Sequence, residues 1–337
     1  MAVPSSAYRR AMTEKELWQR LDQDVRAHLE AQATTPPPPI WEVPLEQIRA
    51  NDRQAYGAIP KVPVDVTEDV TIPSGNGSIA ARVYQPLRED VEAAGMNGAL
   101  GIVVLLHGGG FVLGDLETHD PAARRMAAGA GTIVVSVDYR LAPEHPFPAG
   151  VEDAVTATQW VMDHASDLRG DAGRVIVSGD SAGGNLATVV ARRWRDEDRL
   201  PLAGQSLIYP VTDMRPTSDW PSRRELASGF GLTRAVMNWF GEQYFTDEAH
   251  LAHPDASPIV VEDLKGLAPA FVLTAEFDPL RDEANAYAER MRDAGVDVEH
   301  HEIPSTIHGA LTNPVGFASG DVMWRRLNDW TRLALTR

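Results

Sequence analysis

The chain predicts an α/β fold, a mostly parallel sheet of eight strands held between two layers of helices. Three observations carry this. Short apolar runs without polar alternation recur at 102–106, 133–137, 175–177, 206–209 and 271–273, the pattern of strands buried on both faces. Helical stretches separate them near 120–128, 150–164, 184–195 and 280–294, and strands alternating with helices wind into a parallel sheet. Between the run at 175–177 and the next helix lies Gly179-Asp180-Ser181-Ala182-Gly183. This is the tight strand-to-helix turn that lifts a serine hydroxyl above such a sheet.

The N-terminal part has a different character. Thr13 and Glu16 form a capping-box pattern ahead of Leu17, Leu21, Val25 and Leu29 at helical spacing, which predicts one amphipathic helix over 13–33. Pro36, Pro37, Pro38 and Pro39 stop it as a stiff connector, and a second helical stretch covers 44–56. Residues 1–55 therefore read as a helical cap laid over a main domain of 56–337. That domain opens on an antiparallel hairpin, 70–72 and 79–84, at a sheet edge. The polar stretch 86–98 reads as a loop. A last strand over 296–303 and a helix over 322–335 complete the count. One piece interrupts the alternation: 211–258 shows no clear strand but holds Trp220, Phe230, Trp239, Phe240, Tyr244 and Phe245. An aromatic insertion at the carboxyl edge of a parallel sheet is a candidate wall for a substrate pocket; 236–245 would equally serve as a helix packing on the core.

Bulk properties narrow the function. An apolar content of 43% over 337 residues suits a globule with an ample core, and the net charge of −17 argues against nucleic acid or anionic membrane as partner. The absence of cysteine excludes disulfides, thiolate metal sites and cysteine nucleophiles. No secretory leader follows Met1, and no apolar run approaches the roughly 18 residues of a membrane span. A cytoplasmic protein is expected.

Serine attack needs a base, a group to orient that base, and donors for the oxyanion. In the order serine, acid, histidine, the chain supplies all three. Asp278 lies just past the strand at 269–275, before Pro279 at an expected first helical position; Glu276, Asp282 and Glu283 are its rivals. Glu276 sits too close to the strand, and the other two fall inside the helix. Of the histidines beyond Asp278, His300 and His301 fall within the last strand, and His308 follows it on a loop ending in Gly309. That makes His308 the candidate base. Adjacent strand side chains point to opposite faces, so His300 and His301 suit no metal, and neither metal nor cofactor is expected. Upstream, the strand at 102–106 runs into His107-Gly108-Gly109-Gly110-Phe111. Successive glycines let backbone N–H groups approach a reacting carbonyl, so Gly109, Gly110 and the Ala182 amide are the candidate oxyanion donors. His107 is expected to hold this loop rather than carry protons.

These motifs, with Tyr139-Arg140-Leu141-Ala142-Pro143-Glu144, Asp278 to Glu283 and His308-Gly309, resemble the bacterial hormone-sensitive-lipase-like (family IV) carboxylesterases over about residues 65–337. The resemblance implies an α/β-hydrolase fold with an N-terminal helical cap. It also implies Ser181, Asp278 and His308 as triad, small-molecule esters with short or medium acyl chains as substrates, and homodimers formed through the sheet edge. The Tyr139 to Glu144 stretch would brace the site. Where the family commonly has a bulky aromatic after His-Gly, this chain has Ala310, which leaves the pocket beside His308 open to question. An amidase, lactonase or thioesterase would use the same triad. A non-catalytic binding protein of this fold, like the plant gibberellin receptors, would lack His308, and a long-chain lipase fits the acidic surface poorly.

Overall fold

The computed structural model describes residues 14–75, 77–96 and 98–336. Three helices come first: α1 (Glu14–Arg20), α2 (Gln23–Thr34) and α3 (Leu45–Gly57). A hairpin, β1 (Val66–Ser74) and β2 (Gly77–Gln85), leads to α4 (Arg88–Ala93), β3 (Leu100–Leu106), α5 (Leu116–Ala130) and β4 (Ile133–Asp138). Then come α6 (Ala149–Asp163), β5 (Gly170–Asp180), α7 (Ala182–Asp196) and β6 (Gly204–Ile208). After α8 (Pro221–Glu225) and α9 (Arg234–Tyr244), the chain ends with β7 (Ala270–Phe277), α10 (Arg281–Asp293), β8 (Val298–Ile307) and α11 (Ala318–Thr336). The eight strands form one sheet in the order β1-β2-β4-β3-β5-β6-β7-β8. Only β2 runs antiparallel to its neighbours β1 and β4; the other pairings are parallel.

The apolar runs do not alternate because both faces of the sheet are covered. On one face Ile102, Val104 and Leu106 of β3 pack with Val151 and Val161 of α6 and Leu186 and Val190 of α7. On the other, Val103 and Leu105 join Met126 of α5, Met323 and Leu327 of α11, and Leu21, Val25 and Leu29 from the N-terminal helices. Parallel strands under two helix layers bring their carboxyl ends to one edge. At that edge β3 ends at Leu106, β5 at Asp180, β7 at Phe277 and β8 at Ile307, each just before a residue singled out by its motif.

Several boundaries differ from expectation for identifiable reasons. The single helix expected over 13–33 is two, because Asp22 N–H donates to the Ser305 carbonyl (2.9 Å) instead of continuing the helix; Thr13 of its capping box lies outside the described residues. The loop expected over 86–98 contains α4, where Val91 and Ala94 pack on the core beside the buried Met96. Helix α5 starts before Asp120, with Pro121 inside it. Asp115 accepts from the Glu117 and Thr118 amides while Thr118 Oγ1 accepts from Asp115 N–H, and this capping box outweighs the missing Pro121 donor. Strand β8 runs past Ile303 to Ile307. The insertion at 211–258 holds α8 and α9 and no strand, as expected. Its two ends are held together by one side chain, Asn185, whose Nδ2 donates to the Val211 and Ala256 carbonyls at 2.9 Å each.

The Tyr139 to Glu144 stretch does brace its surroundings. Tyr139 stacks on His107 with ring centroids 4.2 Å apart, and its hydroxyl donates to the His107 carbonyl at 2.7 Å. Arg140 forks onto the buried Asp153. Glu144 takes both terminal nitrogens of Arg49, which also donates to the Val112 and Ala142 carbonyls and so fastens α3 to the same loops. Replacing Tyr139 by Phe leaves the stacking but removes the hydroxyl from a buried carbonyl. Denaturant unfolding of Tyr139→Phe should read about 1–2 kcal/mol less stable than the parent.

Candidate active site

Ser181 sits between β5 and α7 with φ 55° and ψ −116°. A serine in this region is strained by about 1–3 kcal/mol and persists only where its surroundings over-determine it. They do. Ser181 N–H donates to the Ile208 carbonyl at 2.8 Å, and its carbonyl accepts from Asn185 and Val211. Gly183 lets α7 press backbone to backbone on the end of β3, since a Cβ there would lie 1.9 Å from the Leu106 carbonyl oxygen.

Two hydrogen bonds join the serine to residues more than ninety positions away. Ser181 Oγ lies 3.0 Å from His308 Nε2, and His308 Nδ1 lies 2.7 Å from Asp278 Oδ2. Asp278 is fully buried, and its other oxygen accepts from Leu280 N–H at 2.8 Å. Helix α10 begins at Arg281, beyond a turn at Pro279 and Leu280, so Pro279 is not its first residue. Tyr209 packs on the imidazole with ring centroids 4.6 Å apart.

The glycine loop lies opposite. Gly109 has φ 120° and Gly110 φ 62°, and a Cβ on Gly109 would meet the Leu113 carbonyl oxygen at 2.2 Å. Phe240 of α9 packs directly on Gly110, where a Cβ would lie 2.3 Å from its ring. The amides of Gly109, Gly110 and Ala182 have no acceptor among the described residues. Gly108, Gly109, Gly110, Ser181 and His308 line one cavity of about 780 Å³. Asp52 and Tyr56 of α3 line it too, as do Trp220, Met237, Phe240 and Phe245 of the insertion.

The family model described as the alpha/beta hydrolase fold matches residues 103–312, from β3 through the loop after β8. The chain belongs to the α/β-hydrolase family. Within it the hormone-sensitive-lipase-like branch is shown by its relatives. The carboxylic ester hydrolase LipN of Mycobacterium tuberculosis is 46% identical over 75% of this chain and 66% of its own length, so the match spans about two thirds of that relative. The carboxylesterase NlhH of the same species is 44% identical over 79% of this chain and 82% of its own. Among solved structures, an α/β-hydrolase enzyme from the metagenome of Lake Arreo superposes with a TM-score of 0.88 at 35% identity, covering 95% of this chain and 100% of that one. The esterase of the archaeon Pyrobaculum calidifontis superposes with a TM-score of 0.84 at 38% identity, covering 94% and 99%.

In this α/β-hydrolase the rivals of Asp278 are engaged elsewhere. Glu276 pairs with Arg20 and accepts from Ser305 N–H. Asp282 accepts from Ser222 N–H. Glu283 pairs with Arg223 and accepts from the Thr212 and Asp213 amides. His300 and His301 sit on β8, the first 3.2 Å from Thr274 Oγ1 and the second 2.8 Å from Glu299. Ala310 is buried away from the cavity lining, so the missing aromatic there leaves the pocket wall to Gly309 and Thr312.

Sequence reasoning missed a second layer beneath the glycine loop. Asp180 Oδ1 accepts from Gly108 N–H at 2.9 Å and lies 3.3 Å from His119 Nε2. Tyr56 stacks over His119 with centroids 6.3 Å apart. Burial pushes the Asp180 carboxyl up, but His119 foremost, then His107 and the Gly108 amide, hold it below the ordinary range. Burial and the neighbouring His119 push His107 down to about 4, so it stays neutral while its Nδ1 meets the Gly108 carbonyl. His119 stands alone in its helix, and no spacing pattern marked it; Asp180 lay in plain view inside the elbow motif.

Asp52 is raised from 3.8 to about 6, by burial first and then by Asp115. A carboxyl with a raised folded pKa favours the folded state below its unfolded pKa, and that contribution is lost as pH rises through the folded value. Discounted for its partial exposure, the swing is about 1 kcal/mol. Asp52→Asn should therefore match the parent in denaturant unfolding below about pH 4 and exceed it by about 1 kcal/mol above about pH 7.

Proposed function

We propose that this protein is a serine carboxylesterase that hydrolyses short- to medium-chain carboxylic esters through an acyl-enzyme. The observation that carries the proposal is the chain of hydrogen bonds from Ser181 Oγ to His308 Nε2 and from His308 Nδ1 to Asp278, with Ser181 and His308 lining the cavity. The names of LipN and NlhH as carboxylic ester hydrolase and carboxylesterase support it.

In this reading His308 Nε2 takes the Ser181 proton as Oγ attacks the ester carbonyl. Buried Asp278 orients the imidazole and stabilises the imidazolium. The carbonyl oxygen gains negative charge and turns toward the Gly109, Gly110 and Ala182 amides, which are fixed before the reaction and so need no reorganisation. The Ala182 N–H also stands at the start of α7, where the helix dipole favours an anion. His308 then gives its proton to the leaving alcohol, and the ester C–O bond breaks. Water enters, loses a proton to His308, and attacks the acyl-enzyme; Ser181 recovers its proton as the acid departs. Helix α3 and the 211–258 insertion act as a cap in this scheme, since residues of both line the cavity.

Hydrolysis of p-nitrophenyl esters from acetyl to decanoyl tests the assignment. Ser181→Ala should lose about 10⁵-fold or more in kcat, and Asp278→Asn about 10⁴-fold through the wrong histidine tautomer, with both proteins folded. Matched ester and amide substrates should favour the ester. Faster amide turnover would move the protein to another hydrolase class, and an active Ser181→Ala would remove the nucleophile assignment.

A further inference from the structure

We infer that Gly241 is the specificity-determining residue that sets how large an apolar substrate group the cavity accepts; the inference deepens the esterase reading and rests on it for the nature of the substrate. Helix α9 lines the cavity with Met237, Asn238, Phe240, Gly241 and Glu242, and Phe245, its C-cap, lines it just past the helix end. Residues 237, 241 and 245 form one row at four-residue spacing, so the same stripe faces the same space along two turns. Large apolar side chains hold both ends of that row, and the middle place is empty. Beside it, Phe240 packs on Gly110 of the glycine loop, which puts the gap next to the reaction centre.

Nothing in the fold requires glycine there. Its φ is not left-handed, and a Cβ would meet no atom within 4 Å. By contrast Gly183 and Gly110 leave no room for one. Glycine inside a helix is worse than alanine for stability because its backbone loses more freedom on folding. A position that sacrifices helix stability, touches nothing and opens on the cavity keeps space for something outside the chain. Along the row Met237 and Phe245 offer apolar surface, with the exposed Asn238 and Glu242 to its sides, which suits a hydrocarbon part of the ester larger than acetyl. With the ester group at Ser181, the apolar group extends along α9.

The test is a graded series, Gly241→Ala, Gly241→Val and Gly241→Phe, each checked by thermal unfolding. Gly241→Ala should unfold no lower than the parent. Each variant is assayed on p-nitrophenyl esters of increasing acyl length and on acetates of increasing alcohol size. Each methylene shut out of an apolar site costs about fourfold in kcat/KM, so Gly241→Phe should lower the ratio of large to small substrate at least tenfold in one of the two series. The loss should grow from Ala to Phe, and the series that responds tells which half of the ester lies along α9. Ratios within twofold of the parent in both series, or an equal loss on all substrates by a folded Gly241→Phe, would overturn the inference.

A second readout does not need turnover. In the Ser181→Ala background, p-nitrophenyl decanoate is titrated against tryptophan fluorescence. Where the acyl series responds, adding Gly241→Phe should raise its dissociation constant about tenfold; where the acetate series responds, the same rise is expected for the bulkiest acetate instead, and an unchanged constant for both ligands would overturn the inference. If the parent cleaves no ester while this binding difference holds, the esterase reading fails and the size limit at Gly241 stands.

Discussion

The structure depends on the contact between the strand-to-helix junction at Ser181 and the end of β3. Gly179 and Gly183 place two backbones where a methyl group would collide with the Leu106 carbonyl, and this contact sets where α7 starts. Because α7 starts there, the Ala182 amide and the Ser181 hydroxyl point to the same side of the sheet as the glycine loop, which is the direct continuation of β3. The unfavourable φ of Ser181 is the local consequence. It is held by the Ile208 carbonyl on one strand and by Asn185 and Val211 on the other side of the turn.

Around that junction the polar side chains serve mainly to fix loops. Asp180 takes the Gly108 amide, Tyr139 takes the His107 carbonyl, and Arg49 reaches from the N-terminal helices to the Val112 and Ala142 carbonyls. Each satisfies a backbone group that a tight, glycine-rich loop cannot pair with itself, and buried groups of that kind are costly when unpaired. The loop can thus lack side chains and still keep one shape. The insertion is treated the same way: Asn185 closes its ends, and Glu283 holds the amides of Thr212 and Asp213. Its aromatic side chains then divide their work, with Tyr244 stacked in the core on Phe111 and Phe240 facing the cavity. The 236–245 stretch thus packs on the core through Tyr244 and lines the cavity through Phe240.

Much of this was legible beforehand because the signals are local. A strand buried on both faces needs consecutive apolar residues, and an elbow needs glycines beside its serine. Helix ends were less legible. The long-range bond from Asp22 to Ser305 broke a helix that periodicity reads as continuous, and the capping box at Asp115 carried α5 past a proline that reads as a boundary. Strand β8 outran its apolar pattern because its pairing with β7 resumes at Ile307 beyond an irregularity, where the Ser305 backbone bonds instead to Glu276 and Asp22.

By itself the sequence determined the α/β architecture, the serine at the elbow, the glycine loop after β3 and the order serine, aspartate, histidine, since each follows from residue types at short spacing. Only the tertiary structure brought Asp278, the acid already favoured by its place past the strand, against His308. It engaged Glu276, Asp282 and Glu283 with partners of their own and left Asp278 2.7 Å from the ring. It also placed His119 and Asp52 at the cavity and left an open place at Gly241. These depend on where separate elements come to rest against one another, and that is set by packing across the whole sheet.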